Sequence, residues 1–116
     1  MPAAYGVFDA SRDGLEIAMA VEVHVEGRVA AGRLPEFGGA VERYKAYAGE
    51  NGYAVPEVLL GLSGPMNTVR LVYRYEDLST YDEHEFRAMK DVEYGKVADS
   101  MGLVDGTIVY SVYHQI

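Results

Sequence analysis

Residues 16–26, EIAMAVEVHVE, alternate strictly. Ile17, Met19, Val21, Val23 and Val25 fall on one side, and Glu16, Ala18, Ala20, Glu22, His24 and Glu26 on the other. Apolar side chains at period two predict a strand with one firmly buried face and one mixed face. Over residues 33–50 the period changes. Leu34, Phe37, Val41, Tyr44 and Ala48 recur at offsets of three and four, which predicts a helix with one apolar stripe. Pro35 belongs in its first turn and Asn51-Gly52 ends it. Gly38 and Gly39 inside the helix are unfavourable by about 1 kcal/mol each relative to alanine, which suggests close packing against a strand or another chain.

Residues 57–63 and 68–76 read as two more strands. The turn between them, with Gly64-Pro65 and Asn67, is short enough to require an antiparallel hairpin. A second helical region spans 80–101, with Thr80 and Glu83 at the spacing of a capping box. Its inner stripe reads Phe86, Met89, Lys90, Tyr94, Val97 and Met101, and Asp91 marks a place for a kink. Gly102 closes it and residues 106–114 form the last strand. The order strand, helix, strand, strand, helix, strand predicts an α+β, ferredoxin-like domain. Its four-stranded antiparallel sheet carries both helices on one face. Residues 1–15 form an N-terminal extension to the domain at 16–116. The uncovered sheet face, with Ala18, Ala20, Val72 and an aromatic residue of the last strand, is an apolar patch that a second copy would cover. Sheet-to-sheet packing of two copies would close a barrel.

Composition narrows the partners. The chain has 116 residues, enough for one domain with a real core. Its formal net charge is −8, so a nucleic-acid or anionic membrane surface is disfavoured as a partner. There is no cysteine, which removes disulfides, thiolate catalysis and Cys-ligated metals. The first residues have neither a basic leader nor a long apolar run, so a soluble cytoplasmic protein is expected. No phosphate loop, nucleotide fingerprint, nucleophile elbow or HExxH motif occurs.

The stretch GPMNTVRLVYRYEDLSTYDEHEFRAMKDVEYGKVADSM resembles the NIPSNAP branch of the dimeric α/β-barrel superfamily. Gly64, Asn67, Tyr75-Glu76, Arg87, Met89, Asp91 and Tyr94 match that pattern. VEVHVEGRVAAGRLPEFGGAVERY resembles its first strand and helix start, so the likeness covers residues 16–114. The third strand departs from many relatives, reading Arg70-Leu71-Val72-Tyr73 where they carry a His-Leu-Trp-like segment. The resemblance implies homodimers with a cavity between sheet and helices in each subunit. It also implies a choice among cofactor-independent monooxygenases, cyclases, lactone isomerases, haem-degrading enzymes and proteins without known activity.

Candidate chemistry follows from strand parity. Glu22 and His24 share a face, and on a cavity wall His24 would be the general base or acid, oriented by Glu22. Arg70 and Arg74 bracket Val72 and would stabilise an enolate oxygen, or else only pair with surface carboxylates. Tyr73, Tyr75, Tyr110 and Tyr113 would line a cavity for a flat hydrophobic ligand, with Asn67 as a further binding residue. They would serve a dimer core equally well. His84, between Glu83 and Glu85, reads as exposed. His114 could join His24 and Glu22 in a metal or haem site, although no spacing demands it, and the reading adopted has no metal and no cofactor. Two functions follow. One is a cofactor-independent cyclase, isomerase or monooxygenase acting on a flat, hydrophobic, oxygenated substrate. The other is a non-catalytic small-ligand-binding or accessory protein.

Overall fold

The computed structural model describes residues 20–116. The proposed extension at 1–15 and the start of the first strand lie outside them. Strand β1 (Val21–Arg28) leads to helix α1 (Leu34–Glu50), then to the hairpin of β2 (Glu57–Leu60) and β3 (Thr68–Tyr75). Helices α2 (Leu78–Lys90) and α3 (Val92–Asp99) follow, and β4 (Val109–His114) ends the domain. The sheet runs β2-β3-β1-β4 with every neighbour antiparallel. This is the ferredoxin-like α+β arrangement that the alternating periods predict.

The valine side of β1 is the core side. Val21, Val23 and Val25 are buried, and Val69, Leu71 and Tyr75 of β3 join them against Phe37, Val41 and Tyr44 of α1. Burial on one face of the sheet and one stripe of α1 follows from matching periods of 2 and 3.6.

Several boundaries differ from the sequence reading for local reasons. β2 ends at Leu60, although Gly61 N–H still reaches the Thr68 carbonyl at 2.9 Å, and the chain then bends over residues 62–65. β4 starts at Val109, after a turn in which Gly106 takes φ +82° and Thr107 N–H donates to Val104 O. The capping box gives way to an earlier start, where the Asp77 carboxylate accepts from Thr80 N–H at 2.7 Å.

The second helical region breaks at Asp91, which caps both sides of the break. The break also resets the phase of α2. Its inward residues are Tyr81, His84 and Ala88, while Phe86 and Met89 are 60% and 80% exposed. His84 is therefore half-buried, its ring edge-on to Tyr53 and Tyr75 at 6.1 and 5.3 Å. Gly38 meets nothing within 4 Å and Gly39 meets only the Arg43 side chain, so neither makes a close strand contact.

The fold-pattern residues act as fasteners. Asp91 accepts hydrogen bonds from the phenols of Tyr47 and Tyr53 and from Tyr94 N–H, tying α1 and its following loop to the α2–α3 break. These bonds, that of Tyr47 foremost, hold its carboxyl below the usual range, and Tyr47 is in turn pushed up to about 12. Arg87 donates to the carbonyls of Asn51 and Gly52 at the end of α1, with its guanidinium 4.3 Å from the Tyr53 ring centroid. Asn67 takes φ +61° in the hairpin turn, and its carbonyl accepts from Val29 N–H.

Candidate functional site: a tyrosine-lined cavity beneath the helices

Between the helices and the valine side of the sheet lies a cavity of about 530 Å3. That volume is within the usual range for small-molecule sites. Val23, Val25 and Leu71 form its floor, and Ala88 and Ala98 bring α2 and α3 close without filling it. Five tyrosines line it, from four elements: Tyr44 on α1, Tyr73 and Tyr75 on β3, Tyr94 on α3 and Tyr110 on β4.

Three of the phenols form a chain. The Tyr44 hydroxyl lies 2.6 Å from that of Tyr73 and 2.7 Å from that of Tyr94. Two of the three hydroxyl protons make these bonds, and the third is available to a ligand acceptor or to a neighbouring phenol, since Tyr73 also acts on Tyr94 as a hydrogen-bond partner. Burial, and then the neighbouring phenols, hold Tyr44 well above its ordinary range. Burial likewise raises Tyr73, Tyr75, Tyr94 and Tyr110. The chain is thus a neutral hydrogen-bonding device at any ordinary pH.

The charged groups on the wall are Glu85, Asp99 and Asp105. Burial and the Asp82 charge raise Glu85 above the usual carboxylate range, opposed by His84. A carboxyl shifted in that direction is a stronger proton acceptor than an ordinary glutamate.

The acid–base set read from the sequence lies on the other face of the sheet. The register sets Glu22 opposite Arg74, His24 opposite Val72 and Glu26 opposite Arg70. Arg70 Nη1 donates to His24 Nδ1 at 3.0 Å, so His24 Nε2–H donates to Glu22 Oε1 at 2.9 Å. Arg70 also pairs with Glu26, and Arg74 with Glu22 and Glu57. The His24 hydrogen bond, against desolvation and with help from Arg74, holds Glu22 below the usual carboxylate range. These polar chains flank Val72, which is only 5% exposed rather than part of an open apolar patch.

Tyr113 is on this outer face as well, opposite Glu22 in register, with its ring 4.9 Å from that of His24. His114 is opposite Val21, on the parity away from His24, so the two histidines do not converge. Among the described residues no group of three or more histidines and carboxylates is arranged to hold a metal. Of the expected binding residues, Tyr73, Tyr75 and Tyr110 meet at the cavity; Tyr113 and Asn67 do not line it. Tyr44, Tyr94 and Glu85 are additional. Tyr44 and Tyr94 were legible as inward stripe positions facing a tyrosine-rich strand. Nothing in the pattern singled out Glu85.

No protein-family model matches the chain, and no curated protein does. Solved structures do. A NIPSNAP family protein of unknown function from Agrobacterium tumefaciens is similar at 17% identity and TM-score 0.64, over 84% of this chain and 88% of that one. A NIPSNAP domain protein from Burkholderia xenovorans matches at 20% identity and TM-score 0.62, over 84% and 93%. A proposed antibiotic biosynthesis monooxygenase from Caulobacter crescentus matches at 13% identity and TM-score 0.66, over 85% and 92%. At these identities the likeness is one of fold, and the chain has the ferredoxin-like fold of NIPSNAP and antibiotic-monooxygenase-like proteins.

Proposed function

We propose that this protein binds a flat, hydrophobic, oxygen-bearing small molecule in the cavity beneath the helices. The observation that carries the reading is the Tyr73–Tyr44–Tyr94 cluster, whose third phenol proton can turn to a ligand in a cavity with an apolar floor, aromatic walls and the carboxylates of Glu85, Asp99 and Asp105. Apolar floor and ring faces supply affinity, and the phenol proton orients a carbonyl or hydroxyl oxygen. Titration with 9-anthracenemethanol, followed by the probe's own fluorescence, tests it. Saturable binding that weakens in Tyr73→Ala is expected; no binding up to the probe's solubility contradicts it.

A catalytic use of the same cavity is the second reading, favoured by Glu85. Its raised proton affinity beside neutral phenols suits removal of an acidic C–H or O–H proton from such a ligand. Cyclisation, isomerisation or oxygenation without an organic cofactor each begins with that step. The likeness to the proposed Caulobacter monooxygenase is one of fold and selects no particular reaction. Conversion of a bound phenolic substrate that Glu85→Gln abolishes would establish it.

On this reading the protein is a homodimer, two copies meeting through the outer sheet face. Leu59, Val109 and Tyr113, all about half exposed, flank the ion-pair network there. Light scattering tests the dimer. No helix of the described residues is long and apolar enough to cross a membrane. The expected compartment is the cytoplasm, which cell fractionation tests.

A further inference from the structure

All the ion pairs among the described residues, three contacts linking Glu22, Glu26 and Glu57 to Arg70 and Arg74, are on the outer face of the sheet, beside the His24–Glu22 hydrogen bond. The cavity face is different. Glu85 on α2, Asp99 at the end of α3 and Asp105 in the loop before β4 all contribute to its wall, and no described lysine, arginine or histidine does. Among the described residues none of the three carboxylates has a cationic partner.

The Glu85 charge reaches the aromatic wall. After burial, it is among the causes that raise Tyr75, Tyr94 and Tyr110. Negative charge next to electron-rich ring faces is an environment for a cation. Ammonium and amidinium groups are attracted to both carboxylates and aromatic faces. An anionic ligand would meet the carboxylates of Glu85, Asp99 and Asp105 on the wall, with His84 alone among the described basic residues acting on Glu85, an arrangement that discriminates against it.

We propose that the cavity's ligands are flat aromatic molecules bearing a positively charged nitrogen, the ring system against the tyrosines and the cationic group toward the wall that carries Glu85, Asp99 and Asp105. This rests on the cavity being the ligand site, and it adds the charge class. The apolar floor and the phenol chain read only shape and one oxygen. The three carboxylates read the sign of the charge.

The test compares three tricyclic probes of similar outline on the full chain: proflavine as the cation, 9-anthracenemethanol as the neutral and anthracene-2-carboxylate as the anion. Proflavine is expected to bind about tenfold tighter than the neutral probe, and the anion more weakly than either. Raising salt narrows the difference. Glu85→Gln lowers the ratio of cation to neutral affinity severalfold, whereas Glu57→Gln, on the opposite face of the sheet, leaves the ratio unchanged. Neutral and cationic probes binding equally would overturn the charge assignment while leaving the cavity as the ligand site. Binding by none of the three would overturn both. An equal fall in the ratio for Glu57→Gln would trace the preference to the protein's overall charge and overturn the assignment to the cavity.

Discussion

The two faces of this one sheet are built from the same strands and solve opposite problems. On the outer face, acids of β1 stand opposite arginines of β3, so charge is neutralised in register and Val72 is buried between them. On the inner face, valines and a leucine make a floor beneath a layer of tyrosines, and charge enters only as unpaired carboxylates from the helices and the last loop. A shift of one residue along a strand exchanges one environment for the other. The outer face has charge but is committed to itself. The inner face has space, a cluster of phenols and carboxylates without ion-pair partners among the described residues, and the proposed ligand site rests on these.

That contrast can be broken from either side. The largest effect is expected from Tyr44→Ala. Tyr44 is 1% exposed and supports the inner layer, so its truncation should cost about 3–5 kcal/mol in denaturant unfolding. Tyr44→Phe keeps the ring and removes the central hydroxyl. With the Tyr73 and Tyr94 hydroxyls left short of a partner, a loss of about 1–3 kcal/mol and weaker binding of the neutral probe are expected. Asp91 gives the helix layer a pH dependence. Hydrogen bonds, that of Tyr47 first, depress its folded value, so its stabilisation is complete above the ordinary carboxylate value of about 4. That stabilisation is lost as pH falls through the depressed folded value. Asp91→Asn should flatten this acid limb in thermal melts taken across pH 2–5. The smallest effect belongs to the outer face. Glu26→Gln weakens a half-exposed pair with Arg70 and should change stability by no more than about 1 kcal/mol. A larger loss would mean that the network holds the domain together rather than merely neutralising a surface.

Much of the fold was legible in the residues. The alternation of β1, the stripe of α1, the hairpin at Asn67 and the break at Asp91 all reappear, because each rests on local geometry. The phase of α2 was not legible. Its stripe was drawn through Tyr94 and Met101, and a capped break at Asp91 disconnects the two helices, so Tyr81, His84 and Ala88 turn inward instead. The candidate cavity was half legible. Tyr73, Tyr75 and Tyr110 were singled out as aromatic positions of alternating strands and do share the cavity. His24, Glu22, Arg70 and Arg74 were singled out for their chemistry, and they do converge, but on the parity opposite to Val23 and Val25. That parity was already visible in β1. Which parity carries an empty space beneath the helices is a property of packing between distant elements, and no local pattern encodes it.

The most direct test of the account is to block one face and disarm the other. Ala88→Phe puts a ring into the cavity from α2, and His24→Ala removes the centre of the outer network. With folding of both variants verified by circular dichroism, 9-anthracenemethanol is titrated against each. The account predicts that Ala88→Phe abolishes binding and His24→Ala leaves it at the wild-type level. Binding that survives Ala88→Phe and disappears in His24→Ala would contradict it and move the site to the outer face.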